Sequence, residues 1–504
     1  MFVTLENVPL ILLGLAVAYY LVPYVQKSHL RDIPSAGYSA FTNVWLLLQA
    51  RGGQKYRTID EAHKKYGKLV RISPTQVSIA DDEAIQSVYG HGNGFLKADF
   101  YDAFVSIRRG LFNTRDRAEH SRKRKTVSHT FSAKSIGQFE QYIHGNIEEF
   151  VKQWNRLSDL QGNPKTGYVS LDALNWFNYL AFDIIGDLAF GAPFGMLEKG
   201  QDIAEMRLDP KDPPKYVAAV EVLNRRGEVS ATLGCMPSLK PFAKYIPDRF
   251  FSEGLEAVEN LAGIAIARVS ERLKPEVMAN NTRVDLLARL MEGKDGNGNQ
   301  LERAELTAEA LTQLIAGSDT TSNTTCAILY WCMTTPHVLP KLHKTLDEAL
   351  PKDIEVPTHA MVKEIPLPPM GNLGNNAHPQ HLLNGSSPRD PGRFSSRPGD
   401  VLSVPSYTIH RSKEIWGADA EKFVPERWSP ERLTARQKAA FIPFSHGPRA
   451  CVGRNVAEME LLVICATVFR LFEFEMHQDG PMETREGFLR KPLALQVGMR
   501  RRRV

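Results

Sequence analysis

The sequence predicts a mainly α fold with a small β part (α+β), preceded by an N-terminal transmembrane helix. Three observations predict it. Residues 8–25 run for 18 positions without a charge. Downstream, apolar side chains recur at mixed three- and four-residue spacing, as at Phe139, Ile143, Ile147 and Val151, which is the period of an amphipathic helix. β-like runs are few and short, such as Leu69–Ile72 and Val77–Ile79.

Composition narrows the class. The chain has 504 residues, 43% apolar and 24% charged, with 62 Lys+Arg against 57 Asp+Glu. That balance argues against global disorder, a collagen-like chain or a polytopic membrane protein. A net charge of +5 over this length does not mark a nucleic-acid binder. Five cysteines, Cys235, Cys326, Cys332, Cys451 and Cys465, contain no CxxC, so neither a disulfide framework nor a zinc site is indicated. The odd number leaves at least one thiol free.

Residues 1–28 read as a membrane anchor. The apolar run is close to the roughly 20 residues that cross a bilayer as a helix. Glu6 precedes it while Lys27 and Arg31 follow, so the positive-inside tendency places the bulk of the chain in the cytosol. Residues 2–7 lack Lys and Arg, unlike a cleaved signal peptide. Arg31–Gly37, with Pro34, reads as a stiff polar elbow. The remainder, 29–504, reads as one large domain without internal repeats. Its signals are mostly helical from Val44 to Asn280, with one helix over Ile136–Leu157. Lys294–Asn299 is a loop by its Gly/Asn content, and a long helix runs from about Arg303 to Met333, closed by Pro336. Between Pro366 and Gly399 stand seven prolines and no periodic apolar face. A structureless loop of that length is anomalous inside a compact domain.

The most informative decapeptide is Phe444-Ser445-His446-Gly447-Pro448-Arg449-Ala450-Cys451-Val452-Gly453. Gly447 and Gly453 suit a tight turn and a close backbone approach to a flat ligand. Arg449 offers a permanent cation to an anionic group. After Cys451 a helical stripe begins, Val456, Met459, Leu462, Cys465, Phe469 and Phe472. A thiolate just ahead of a helix is stabilised by unpaired N–H groups and the macrodipole, and so held it can ligate iron. The plainer reading is a buried structural cysteine beside a glycine turn.

Phe-x-x-Gly-x-Arg-x-Cys-x-Gly resembles the signature loop of the cytochrome P450 family, the haem-thiolate monooxygenases, with all five fixed positions present. The resemblance spans about residues 30 to 504. It implies the cytochrome P450 fold, haem b (iron protoporphyrin IX) with Cys451 as axial thiolate and metal ligand, Phe444 beside the sulfur, and Arg449 on a propionate. It implies O2 as co-substrate and electrons from NADPH through NADPH–cytochrome P450 reductase. It also implies a single-pass location in the endoplasmic reticulum membrane, the catalytic domain facing the cytosol. No nucleic-acid partner is expected.

Other segments resemble further family sites. Ala316-Gly317-Ser318-Asp319-Thr320-Thr321 lies in the expected long helix. Glycine inside a helix costs about 1 kcal/mol against alanine, so a reason is expected: small side chains at Ala316 and Gly317 would admit a cofactor or O2. The resemblance makes Asp319 and Thr320 the acid–alcohol pair that relays protons. His120 and Arg124, at i and i+4, share a helix face and match the family's propionate-binding pair, leaving Arg122, Lys123 and Lys125 to meet an acidic electron donor. Pro425-Glu426-Arg427-Trp428 matches a segment whose arginine, Arg427, completes a buried Glu–Arg–Arg network.

That network needs a Glu-x-x-Arg helix some 75 residues before the cysteine, and none is there. The expected place falls in the proline-rich stretch. Leu373-Gly374-Asn375-Asn376-Ala377-His378 can be encoded TTG GGA AAC AAT GCG CAT; read one nucleotide later, those bases give Trp-Glu-Thr-Met-Arg. Residues 385–390 permit Gly-Leu-Pro-Arg-Glu in the same shifted frame. Residues 366–396 therefore read as a frame-shifted or mis-spliced translation that replaces the Glu-x-x-Arg helix. If they are genuine, Arg427 is stranded, at a cost of several kcal/mol that threatens haem retention.

Val404–Arg411 and Phe100–Phe104 resemble the fungal benzoate para-hydroxylase (benzoate 4-monooxygenase) branch. In the pocket-lining region Lys97–Arg109, Tyr101 and Phe104 would stack on a small aromatic substrate, and Ser106 or Arg108 would meet its carboxylate; simple packing or surface exposure is the plainer reading of each. Three functions stand open: hydroxylation of benzoate to 4-hydroxybenzoate, hydroxylation of another aromatic or a lipophilic xenobiotic, or a non-catalytic product unable to hold haem.

Overall fold

The computed structural model describes residues 8–279, 283–365 and 396–503, together with the backbone of His381–Leu382. Val8–Gln26 forms a 19-residue helix with no buried residue; Leu10, Leu12, Leu13 and Leu15 are each more than half exposed. At 1.5 Å per residue it is about 28 Å long, enough to span a bilayer's hydrocarbon. Its end is pinned to the domain. Lys27 Nζ and His29 Nε2 both reach the fully buried carboxylate of Asp400, at 2.8 and 2.7 Å. Tyr24 stacks on Phe41 with ring centroids 4.8 Å apart.

The centre of the domain is the helix Arg303–Thr334. It ends where the sequence requires, with Thr335 extended ahead of Pro336, because a residue before proline is driven out of the α region. Against it lies Ala173–Phe190, apolar almost all round and hence buried on nearly every face. The helix Arg454–Leu471 also packs on the long helix. Trp154 sits in this core against Phe150 and Phe472, at 4.3 and 5.1 Å; its truncation to alanine costs about 3–5 kcal/mol by the lost transfer energy and the cavity left behind. The single helix expected over Ile136–Leu157 is instead a 3₁₀ turn, Ile136–Phe139, leading into the α-helix Glu140–Gln161.

The β part is small. A five-stranded sheet has the order Leu69–Arg71, Gln76–Ile79, Val401–Ser403, His381–Leu382, Leu96–Lys97. Leu69 pairs antiparallel with Ile79, and Gln76 pairs parallel with Val401. A second sheet sets Gln496–Arg501 between Val169–Asp172 and Phe472–Met476. The hairpin Thr484–Glu486/Arg490–Pro492 carries Phe488 at its tip, against the helix Ala219–Gly234. Apart from Ser396 and the backbone of His381–Leu382, the stretch expected to replace the Glu-x-x-Arg helix lies outside the described residues.

Candidate active site

The cysteine loop is built by backbone geometry. Gly447 adopts φ +68°, and a Cβ there would lie 1.9 Å from the Tyr89 carbonyl oxygen. Its glycine therefore serves at least a close approach to the Tyr89 backbone. Ser445, with φ 62°, is the one non-glycine residue in the left-handed region among the described residues. The Cys451 N–H donates to the Phe444 carbonyl at 2.9 Å, closing the loop ahead of the Arg454–Leu471 helix, for which Gly453 is the N-cap. The Phe444 ring lies under the Arg454 guanidinium at 5.5 Å.

Cys451 is the accessible thiol; Cys235, Cys326, Cys332 and Cys465 are buried, as small apolar side chains would be. Cys451 is exposed as a residue, yet its thiol lies deep enough that desolvation pushes its pKa up, opposed by the Gly453 N–H and the charge of Arg124. A metal cation there would reverse that balance, since a coordinating thiol is deprotonated.

Beside the thiol stand three basic side chains without an ion pair among the described residues, Lys97, Arg124 and Arg449, with the neutral imidazole of His120 among them and Asp116 the carboxylate that acts on Arg449. His120 is buried, and desolvation together with Arg449, Lys97 and Arg124 lowers its pKa to about 3. Burial and its neighbours lower Arg449 to about 10. Desolvation and Arg449 hold Lys97 well below the usual lysine range. Arg124 donates to the Ala450 carbonyl at 2.8 Å, and Arg449 donates to the carbonyls of Thr114 and Arg115 at 2.7 and 3.1 Å. Lys97 donates to the Phe112 carbonyl. Carbonyl partners do not neutralise charge, and none of Lys97, Arg124 and Arg449 is paired with a carboxylate among the described residues. Several cations packed together call for an anion. A ligand bearing two carboxylates, with a metal to meet Cys451, satisfies both demands, so these residues fit haem b. Lys97 joins His120, Arg124 and Arg449 without any local sequence signal; only the fold brings the three segments together.

The basic run on Arg117–Ser128 is only partly the free surface expected of it. Arg122 pairs with Glu119 at 2.7 Å and with Glu305 at 2.5 Å. Lys123 is buried between Glu305 and Glu309, at 2.5 and 2.9 Å. Glu305 and Glu309 sit on the long helix, more than 180 positions away, which is why the run looked unpaired. Lys125 remains exposed.

On the long helix the small residues divide their work. Ala316 is exposed although its helix is central, so it faces an internal space. Gly317 instead accommodates Ile185, whose Cδ1 would stand 2.7 Å from a Cβ; its smallness serves helix packing. The Thr320 hydroxyl donates to the Ala316 carbonyl at 2.7 Å. Desolvation raises the pKa of Asp319, while Lys491 and Arg226 pull it down. Thr321 donates to the buried carboxyl of Glu460 on the cysteine helix at 2.9 Å, and burial lifts that group to about 7. Asp319 and Thr320 are thus adjacent to the tie between the long helix and the cysteine helix.

Tyr101 and Phe104 are both buried in an aromatic wall with Phe112 and Phe488. Lys97 Nζ sits 4.1 Å above the Tyr101 ring, tying that ring to the cation group. Arg108 is not available for a substrate carboxylate: it is at the surface, paired with Glu302 at 2.6 Å. Ser106 is half-buried and makes no hydrogen bond to the wall among the described residues. Arg427 is not stranded. Its guanidinium donates to the carbonyls of Trp416 and Asp419 and pairs with the Asp419 carboxylate at 3.0 Å. The Glu-x-x-Arg partner expected for it falls on residues outside those described.

Comparison with known proteins agrees with this geometry. The family description "Cytochrome P450" matches residues 34–370 and 391–499. The chain is 75% identical over 498 residues to "Benzoate 4-monooxygenase bphA" of Aspergillus niger, covering 97% of this chain and 96% of that protein. It is 28% identical to a "Cytochrome P450 monooxygenase" of Aspergillus terreus, covering 92% and 94% of the two chains. With "Cytochrome P450 monooxygenase traB" of Penicillium crustosum it shares 28% over 90% of its length. A thiol on a glycine-shaped loop, a group of basic side chains without ion pairs beside it and a family match over most of the length lead to one conclusion: this chain belongs to the cytochrome P450 family.

Proposed function

We propose that this chain hydroxylates benzoate at the para position, giving 4-hydroxybenzoate. The observation that carries the reading is 75% identity to a benzoate 4-monooxygenase across nearly the full length of both chains. Haem held at Cys451 supplies activation of O2 and insertion of one oxygen atom into a ring C–H bond. The protein's own residues do the rest. His120, Arg124, Arg449 and Lys97 hold the carboxylates of the cofactor. The loop from Phe444 to Gly453 fixes the sulfur. Ala316 leaves room above the long helix. Asp319 and Thr320 hold a proton path at the Asp319 carboxyl and the Thr320 Oγ1. The aromatic wall excludes water from an apolar ring. No observation favours a different aromatic or a lipophilic xenobiotic. Titrating the purified protein with benzoate while recording the Soret band tests the reading: a low-to-high-spin shift supports it, and no shift with benzoate alongside a shift with long-chain lipids refutes it.

The apolar helix Val8–Gln26 supports a single-pass anchor in the endoplasmic reticulum membrane, with the catalytic domain in the cytosol. Electrons come from NADPH through a flavoprotein reductase, and exposed Lys125 is a candidate contact. Residues 366–396 are best explained as a shifted reading frame. In support, the family match stops at 370 and resumes at 391. Sequencing the transcript from Ile365 to Val401 tests this, and an intact frame as printed overturns it.

A further inference from the structure

Of the buried cations outside the cofactor group, Arg226 is the one that lies against the Phe104 ring of the aromatic wall. Arg226 lies on the helix Ala219–Gly234, 4% exposed. It donates through Nη2 to the Phe104 carbonyl at 3.0 Å and lies 5.2 Å from the centre of the Phe104 ring. Its Nε has no hydrogen-bond partner, and no carboxylate pairs with it at contact distance among the described residues. A buried guanidinium donor without a partner is costly.

Its surroundings are aromatic. Phe104 contacts Phe488 and Phe112 at 4.9 and 5.9 Å. The hairpin tip approaches the next residue of the same helix, a Gly227 Cβ meeting the Phe488 nitrogen at 3.9 Å. Lys491, on the same hairpin, is also buried, and its strand packs on the long helix. The charges of Arg226 and Lys491 both act on Asp319. Glu228 also acts on Lys491 but is engaged by Arg485 at 3.1 Å, whereas Arg226 has no ion pair among the described residues.

We infer that Arg226 binds the carboxylate of the aromatic acid substrate, with the ring lying along Phe104 and Phe488 and Lys491 adding a second positive charge. A planar guanidinium matches a carboxylate by paired, charge-assisted hydrogen bonds, and the aromatic faces stabilise the cation when substrate is absent. The inference rests on the benzoate reading. It assigns the acid specificity to a residue far in sequence from Ser106 and Arg108.

The test compares benzoate with two neutral analogues, methyl benzoate and toluene, on the full-length holoenzyme. Dissociation constants are read from the Soret shift and, independently, by equilibrium dialysis of labelled ligand. Arg226→Gln is expected to weaken benzoate by at least about 30-fold and the neutral analogues by less than about 3-fold, with Arg226→Lys recovering part of the loss. Retained binding of toluene shows that the variant is folded. Equal loss for all three ligands, or no loss for benzoate, overturns the assignment. So does slowed turnover with unchanged benzoate affinity, which would make Arg226 a partner of Asp319 instead. If the unaltered enzyme binds toluene but not benzoate, the benzoate reading itself fails.

Discussion

Arg124 donates to the carbonyl oxygen of Ala450 at 2.8 Å, so the residue immediately before the thiol is tied to the helix that carries the buried His120. The same guanidinium acts on the Cys451 sulfur. Replacing Arg124 by methionine keeps the aliphatic bulk but removes both effects. A hydrogen bond from a charged group is worth about 1.5–3 kcal/mol, so haem should dissociate roughly 10- to 100-fold faster. Transfer of haem to an apo-acceptor protein measures that rate; an unchanged rate would contradict the role.

Gly447→Ala should be among the most damaging changes in the loop. The new Cβ meets backbone at 1.9 Å, and the residue is held at φ +68°. Backbone cannot yield as a side chain would, so a loss of more than about 3 kcal/mol is expected. Thermal unfolding of the variant checks this, with Gly453→Ala, whose nearest neighbour is the Cys451 Sγ at 4.0 Å, as the comparison.

Lys123→Met should act on stability and not on electron delivery. It removes the cation between Glu305 and Glu309 and leaves a buried carboxylate uncompensated, at about 3–5 kcal/mol. Denaturant unfolding should register the loss, while the salt dependence of reduction by the reductase stays as in the parent. Lys125→Glu should show the reverse pattern.

Glu460 gives a pH signature. Its folded pKa is raised from 4.5 to about 7 by burial. Between those values the folded protein binds more protons than the unfolded chain, so this group's contribution to stability falls as pH rises from about 4.5 to about 7 and then levels off. Glu460→Gln, which still accepts from Thr321, removes that slope. The variant should gain relative to the parent by up to about 3 kcal/mol between pH 4.5 and pH 8. Equal differences at both pH values would contradict the burial of a titrating acid.

How much was legible in the sequence depends on how local each signal is. The cysteine loop and the long helix were legible because glycine, proline and the Cys–helix order act within a few residues. The packing role of Gly317 was not, because Ile185 lies on another helix. Arg122 and Lys123 looked solvated because their acids arrive from Arg303–Thr334. Lys97 and Arg226 carried no local mark; burial beside other cations or aromatic rings singles them out. Arg427 pairs with Asp419, eight residues upstream, a contact within reach of a local reading, while the glutamate expected for it falls outside the described residues.

The central claim is para-hydroxylation of benzoate by a haem-thiolate site. It is tested most directly by incubating the purified full chain with ring-labelled benzoate, NADPH and a P450 reductase, and identifying the products. The account predicts 4-hydroxybenzoate as the dominant product, abolished by Cys451→Ala. Recovery of unreacted benzoate from enzyme whose reduced CO spectrum shows an intact thiolate site would contradict it.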